Sequence, residues 1–204
     1  MPRGFNANEK EFIRDKLLSA ARELFSSLGL KKTSIKDLTG KAGIAQGTFY
    51  NFFESKEVIY FLLLEQDEKE IKQNVINKLM SKEITPSNFA NVIYTTVKQI
   101  ENYPLIRRLY TTEEYELLVR KLPNELLKEH SENDILSLNP LLDQWKNKGE
   151  VDANLSNEVV TSALRALFLM TIHKREIGED VYDQSLQFLA EGIALRLFKG
   201  GENT

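Results

Sequence analysis

Apolar residues recur at intervals of three and four along most of this 204-residue chain. The first run, Ile13, Leu17, Ala20/Ala21, Leu24 and Leu28, is closed by Gly29 and predicts a helix. Thr33 or Ser34 can cap a short second helix. Asp37, three residues after Ser34, completes a capping-box pattern, and Ala42-Gly43 ends the helix. A third short segment runs from about Ala45 to Phe52, and Ser55 is a good cap for a long helix over 56–80. Pro86 opens a helix to about residue 102. Pro104 and Pro123 then divide the chain into shorter helices over 105–110, 113–122 and 125–130. Further helices are predicted over 140–148, 156–174 and 181–199, punctuated by Gly149, Gly178 and Gly200-Gly201. No sustained period-two alternation or Asn-Gly hairpin is present, so the expected class is all-α.

Composition narrows the chemistry. With no cysteine, disulfide scaffolds, Cys-based zinc sites, thiol nucleophiles and iron–sulfur centres are excluded. The 42% hydrophobic and 28% charged fractions are those of a globular protein. Residues 1–15 hold no apolar signal core. The longest apolar stretch, Val58 to Leu64, is far short of the roughly 20 residues that span a bilayer. A cytoplasmic protein with no membrane partner is expected. The net charge of −3 argues on average against a polyanionic partner, but it is segregated: residues 1–60 carry +3 and residues 61–204 carry −6. Between Gly29 and Phe53, Lys31, Lys32, Lys36 and Lys41 face Asp37 alone. Two short helices joined by a glycine turn thus coincide with the basic end, as a helix-turn-helix needs for a phosphate-binding face.

Thr33-Ser34-Ile35-x-x-Leu38, followed by Ala42-Gly43-Ile44-Ala45-Gln46-Gly47-Thr48-Phe49-Tyr50-x-x-Phe53-x-Ser55-Lys56-Glu57, resembles the N-terminal signature of the tetracycline-repressor (TetR) family of bacterial transcriptional regulators, over about residues 10–60. The resemblance implies a three-helix DNA-binding domain over 1–54. A helical effector-binding and dimerisation domain over 55–204 would follow, with helix 55–80 as connector. It also places Thr33, Gln46, Gly47, Thr48, Tyr50, Asn51 and Lys56 at a double-stranded DNA operator. Their chemistry agrees. Small Ala45 and Gly47 permit close backbone approach, and Gln46 and Thr48 can read base edges. Tyr50, Lys56 and Thr33 or Ser34 suit phosphate oxygens. The family most often has Ser-Lys where Ala45-Gln46 stands and His-Tyr where Asn51-Phe52 stands, so weaker nonspecific phosphate binding is expected. Gly40, inside the second helix, costs about 1 kcal/mol relative to Ala. Phe49 and Phe53 read as core, packing on Phe25 and Leu28.

Helices 156–174 and 181–199 are apolar on more than one face and must be covered on more than one face. One stripe is Val160, Leu164, Leu167/Phe168 and Thr171; another is Val159, Ala163, Ala166 and Met170. The last helix has Leu186, Leu189/Ala190, Ile193, Ala194 and Leu197, with Phe188, Leu195 and Phe198 elsewhere. A homodimer through a four-helix interface is expected, which the resemblance also implies, with Val160, Leu164, Leu167, Thr171, Leu186, Leu189, Ile193 and Leu197 in it. Burial within a single chain is the alternative. Candidate walls for a small-molecule effector pocket are Phe89, Ile93, Tyr94, Val97, Tyr103, Tyr110, Tyr115, Leu142, Trp145, Leu164 and Phe168. Catalysis has little support. His130 and His173, the latter with Glu176, make no metal site, and no phosphate loop, GxSxG or dinucleotide fingerprint implies a cofactor. The reading is a ligand-responsive regulator released from a palindromic operator by its effector. A helical interaction or carrier protein with a vestigial helix-turn-helix is the alternative.

Overall fold

A computed structural model describes residues 6–127 and 138–198, and every regular element among them is helical. Helix α1 (Ala7–Leu28) opens with a capping box between Asn6 and Glu9 and stops at Gly29. There φ is +82°, and a side chain would strike Arg108 and Glu114. Helix α2 (Ile35–Ala42) has the expected Ser34/Asp37 capping box and ends on Gly43 in the left-handed conformation. Hydrogen bonds from Ser34 hold the Asp37 carboxyl below its ordinary range.

The segment expected to be a third helix is a 3-10 turn, Gln46–Asn51, with no side-chain cap. Ala45 stands at the cap position and offers no oxygen to the free N–H groups behind it. Helix α3 (Lys56–Met80) begins with Ser55 Oγ accepting from Val58 N–H (3.2 Å). Helices α4 (Pro86–Gln99), α5 (Pro104–Thr111), α6 (Glu114–Lys121), α7 (Asn139–Asn147) and α8 (Asn157–Leu169) follow. The helix expected to reach Lys174 tightens into a 3-10 turn, Met170–His173. β-branched Thr171 and Ile172 lie there, and the Thr171 hydroxyl donates back to Phe168 O (2.8 Å). One further turn, α9 (Lys174–Ile177), precedes α10 (Tyr182–Phe198). The expected helix 125–130, including His130, lies largely outside the described residues, as does the Gly200-Gly201 stop.

The chain divides into two units. One holds the described residues up to Asp67 together with Pro104 onward to residue 127. The other holds Glu68–Tyr103 and the described residues from 138. This differs from the expected division at residue 54, which left α5 and α6 with the body. Burial and hydrogen bonding explain the difference. Glu114 on α6 is 95% buried, and its Oε1 accepts from Leu30 N–H (2.9 Å) and Arg108 Nε (3.3 Å). Its Oε2 accepts from the Tyr60 hydroxyl, which also lies 3.1 Å from Leu105 O. The apolar core of this unit gathers Leu17, Ala21, Phe25, Leu38, Phe49 and Tyr60 around α1, with the Phe25 and Tyr60 rings 5.1 Å apart. In the second unit α4 and α10 pack together with α7 and α8. Phe89, Trp145 and Phe198 form an aromatic triangle with centroids 6.0 to 6.5 Å apart.

Candidate nucleic-acid interface and body cavity

The 3-10 turn Gln46–Asn51 is held from beneath by two rings. Phe49 and Phe53 are buried as expected, 6.1 Å apart, while Leu28 is substantially exposed rather than part of their core. Residues three apart eclipse in a 3-10 turn. Gly47 therefore aligns with Tyr50 and Thr48 with Asn51. Ala45, Gln46, Gly47, Tyr50 and Asn51 are exposed and Thr48 half-buried. Tyr50 stands edge-on against Phe49 (5.4 Å, 82°) with 61% of its surface free. Nothing within 4 Å would obstruct a side chain at Gly47, so its backbone lies open to close approach from outside. The six positions present amide, hydroxyl and phenol groups from a rigid base. That is the chemistry of base-edge and phosphate contact.

Two residues expected at DNA are engaged inside the unit. Thr33 is 1% exposed, and its hydroxyl donates to Gly29 O (2.7 Å). Lys56 Nζ donates to Leu30 O (2.6 Å) and Thr33 O (2.7 Å), which satisfies carbonyls of the α1–α2 connection. Two of its three donors are thereby committed, so its first role is to fix that connection. Ser34 is exposed, but its hydroxyl is tied into the capping box. Among the lysines, Lys41 pairs with Glu23 (2.5 Å) while Lys36 is exposed on the first turn of α2. Lys36 was not singled out from the sequence, although its place in the basic run signals it.

In the second unit a cavity of about 40 Å³ lies between α3, α4 and α8. Ile93, Val97, Leu164 and Phe168 of the expected pocket line it, with Ile71, Lys72, Val75, Thr96, Ile100 and Leu138. The other expected walls are elsewhere. Phe89, Leu142 and Trp145 are filled core, and Tyr94 borders a shallow surface groove with Gln187 and Glu191. The Tyr103 hydroxyl donates to Glu70 (3.1 Å). Tyr110 and Tyr115 are exposed on α5 and α6 of the first unit. The three α3 positions were missed because a connector helix reads as core at every apolar position.

The expected dimer stripe is corrected by burial. Val160, Leu164, Leu167, Leu186 and Leu197 are buried within this chain, Thr171 and Ile193 are half-buried, and Leu189 alone is exposed. The second stripe faces outward instead. A groove across α8 and α10 is lined by Val159, Ala163, Phe188, Leu189, Gly192 and Ile193, with Val159 56% and Phe188 75% exposed. At its edge Arg196 donates to Asp152 (2.7 Å) and holds that carboxyl below its ordinary range.

His173 is exposed, 3.9 Å from Glu176, and no cluster of three or more metal-ligating side chains occurs among the described residues. No described helix is long and apolar enough to cross a membrane.

This architecture, a helix-turn-helix unit joined by a long helix to a helical body, is that of the bacterial helix-turn-helix regulators. Residues 17–62 match the family described as bacterial regulatory proteins, tetR family. The segment is 53% identical over 45 residues to the uncharacterized HTH-type transcriptional regulator YvdT of Bacillus subtilis, covering 22% of this chain and 23% of that one. It is 46% identical over 44 residues to the HTH-type transcriptional repressor KstR2 of Mycolicibacterium smegmatis, 22% of each chain. The matched segment thus spans under a quarter of these relatives' own length. The fold is shared more widely. Salmonella enterica GusR has a TM-score of 0.68 at 19% identity over 92% of this chain and 95% of its own. RolR in complex with its ligand resorcinol has a TM-score of 0.57 at 18% identity over 95% and 98%. The chain carries the N-terminal domain of the tetR family, on a fold common to solved regulators along nearly its whole length.

Proposed function

We propose that this chain is a ligand-responsive transcriptional regulator, acting as a repressor, that binds a palindromic DNA operator as a homodimer and is released by a small molecule. The observation that carries the reading is the 3-10 turn with Gln46, Gly47, Tyr50 and Asn51 exposed above buried Phe49, in the basic part of an otherwise acidic chain. The +3 head attracts phosphate while the −6 remainder repels it, which orients the encounter. KstR2, similar over this segment, is described as a repressor, and RolR of the same fold takes resorcinol.

A second copy of this chain is the occupant that fits the α8/α10 groove. Phe188 supplies a large apolar knob, while Ala163 and Gly192 leave room for a facing helix. Two twofold-related heads then read two half-sites. Helix α3 runs unbroken from Lys56, which holds the α1–α2 connection, to Ile71 and Val75 at the cavity wall. A ligand that displaces those two side chains therefore acts on a helix the DNA-binding unit shares.

Selecting genomic fragments with the purified full chain tests the reading. Enrichment of fragments sharing an inverted repeat is expected, and no enrichment over a control protein contradicts it. Sedimentation adds a prediction about the groove: the wild-type chain is a dimer at micromolar concentration, and Phe188→Glu yields monomer with unchanged helicity. A Phe188→Glu dimer would place the interface elsewhere.

A further inference from the structure

The body cavity departs from an ordinary packing defect in one respect. Thr39, Thr95, Thr111, Thr112 and Thr171 each turn the side-chain hydroxyl back onto a carbonyl three or four residues earlier. Thr96, on the same helix as Thr95, does not. Its Oγ1 is buried without a hydrogen-bond partner at the cavity lining. Buried hydroxyls are ordinarily satisfied, so an unmet one facing a void marks a place where something else supplies the partner. Of the described residues lining the cavity, only Thr96 and Lys72 carry polar side chains. Lys72 brings a positive charge to an otherwise apolar enclosure, which disfavours a cationic guest and favours an anionic one.

We propose that the cavity binds a compact, mainly apolar molecule bearing a single carboxylate or comparable anionic group, its body among Ile71, Val75, Leu164 and Phe168 and its head between Lys72 and Thr96. The assignment rests on the reading of the second unit as the effector-binding part of a regulator. Two properties of the lining exclude other classes. A polyol or sugar would bury many hydroxyls against walls offering two polar groups. An amine would meet Lys72 at like charge. The volume adds a consequence for regulation. At about 40 Å³ the cavity holds little more than a few waters, whereas small-molecule sites run to roughly 300 Å³ and above. Occupation must therefore spread α3, α4 and α8, and the ligand selects a wider arrangement than the closed one.

Titration calorimetry of the full chain with two isosteric sets tests this: benzoate, benzamide and benzylammonium, then hexanoate, hexanamide and hexylammonium. In each set the carboxylate is expected to bind at least about tenfold tighter than the amide, with no heat from the ammonium. Lys72→Met should abolish that preference and Lys72→Arg keep it. Thr96→Val should weaken the carboxylate several-fold and Thr96→Ser restore it, with circular dichroism showing each variant folded. The proposal is overturned if an amide or ammonium binds as tightly as its carboxylate. It is equally overturned if the preference persists in Lys72→Met, or if no member of either set binds at millimolar concentration. Fragment binding by the same preparation separates the two claims. DNA bound without any probe binding ends the ligand assignment alone, whereas probe binding with no DNA bound ends the regulator reading.

Discussion

The first unit gathers polar chemistry in its interior: one carboxylate, Glu114, takes hydrogen bonds from the α1–α2 connection, from α3 and from α5. The core of the second unit is a continuous apolar cluster centred on Leu142, Trp145, Leu186 and Ala194, with a small cavity at its side. Directional bonds fix a geometry because they fail when a partner shifts. Apolar packing tolerates rearrangement at smaller cost. The unit carrying the exposed turn is thus built for one arrangement, and the unit carrying the cavity can admit a guest. Burial, with the Glu114 carboxylate as second cause, holds the Tyr60 phenol well above its ordinary value, so it remains a donor throughout the physiological range.

Breaking the polar centre has the largest expected effect. Glu114→Ala strands Leu30 N–H and the Tyr60 hydroxyl and leaves Arg108 without its carboxylate, which costs about 3–5 kcal/mol. A fall in Tm of many degrees by circular dichroism is the expected result, and a loss under 1 kcal/mol would erase the contrast between the units. In the second unit Leu142→Met, at a fully buried position, should cost less than about 1.5 kcal/mol, because volume is nearly conserved. Urea denaturation decides it, and a penalty as large as that of Glu114→Ala would show the body to be as exacting as the head. A smaller effect has the opposite sign. Gly40→Ala should stabilise the first unit by about 1 kcal/mol, since Gly40 lies within α2 with open space around its Cα. A lower midpoint in denaturant would mean that glycine is required there.

The pH response is the subtlest. Asp37 is depressed by bonds from Ser34, and Asp152 chiefly by the bond from Arg196. A depressed carboxylate contributes stability above its unfolded value, near 3.8, and loses it as pH falls through the lower folded value. Ser34→Ala and Arg196→Met should each shrink the fall in Tm between neutral pH and pH 3. An unchanged slope in both would assign acid sensitivity to other groups.

What could be seen in the sequence follows from the range of the interaction. The Ser34/Asp37 capping box, the Gly29 and Gly43 stops and burial of Phe49 and Phe53 depend on neighbours within a few residues, and all are present. The missing cap at Ala45 was legible too, though not its outcome as a 3-10 turn. Lys56 and Thr33 were assigned outward by charge and polarity, yet both satisfy carbonyls that only tertiary structure brings near. The two stripes of α8 and α10 are similarly apolar, so periodicity alone could not say which one meets its own chain. Packing against α4 and α7 turned Val160 and Leu186 inward and left Val159 and Phe188 outside. The cavity posed the same difficulty, because a pattern tells which residues face inward but not which gap stays unfilled.

The central claim is that the exposed turn above Phe49 contacts DNA, and Tyr50 tests it without disturbing the fold, being 61% exposed. Lys56 is a poorer probe, since its loss strips a bond from Leu30 and Thr33. The most direct measurement compares the affinity of wild-type and Tyr50→Ala protein for a selected genomic fragment at fixed salt. The account predicts at least about a tenfold loss, near 1.4 kcal/mol, with Tm and dimerisation unchanged. Equal affinity of the two proteins would contradict it.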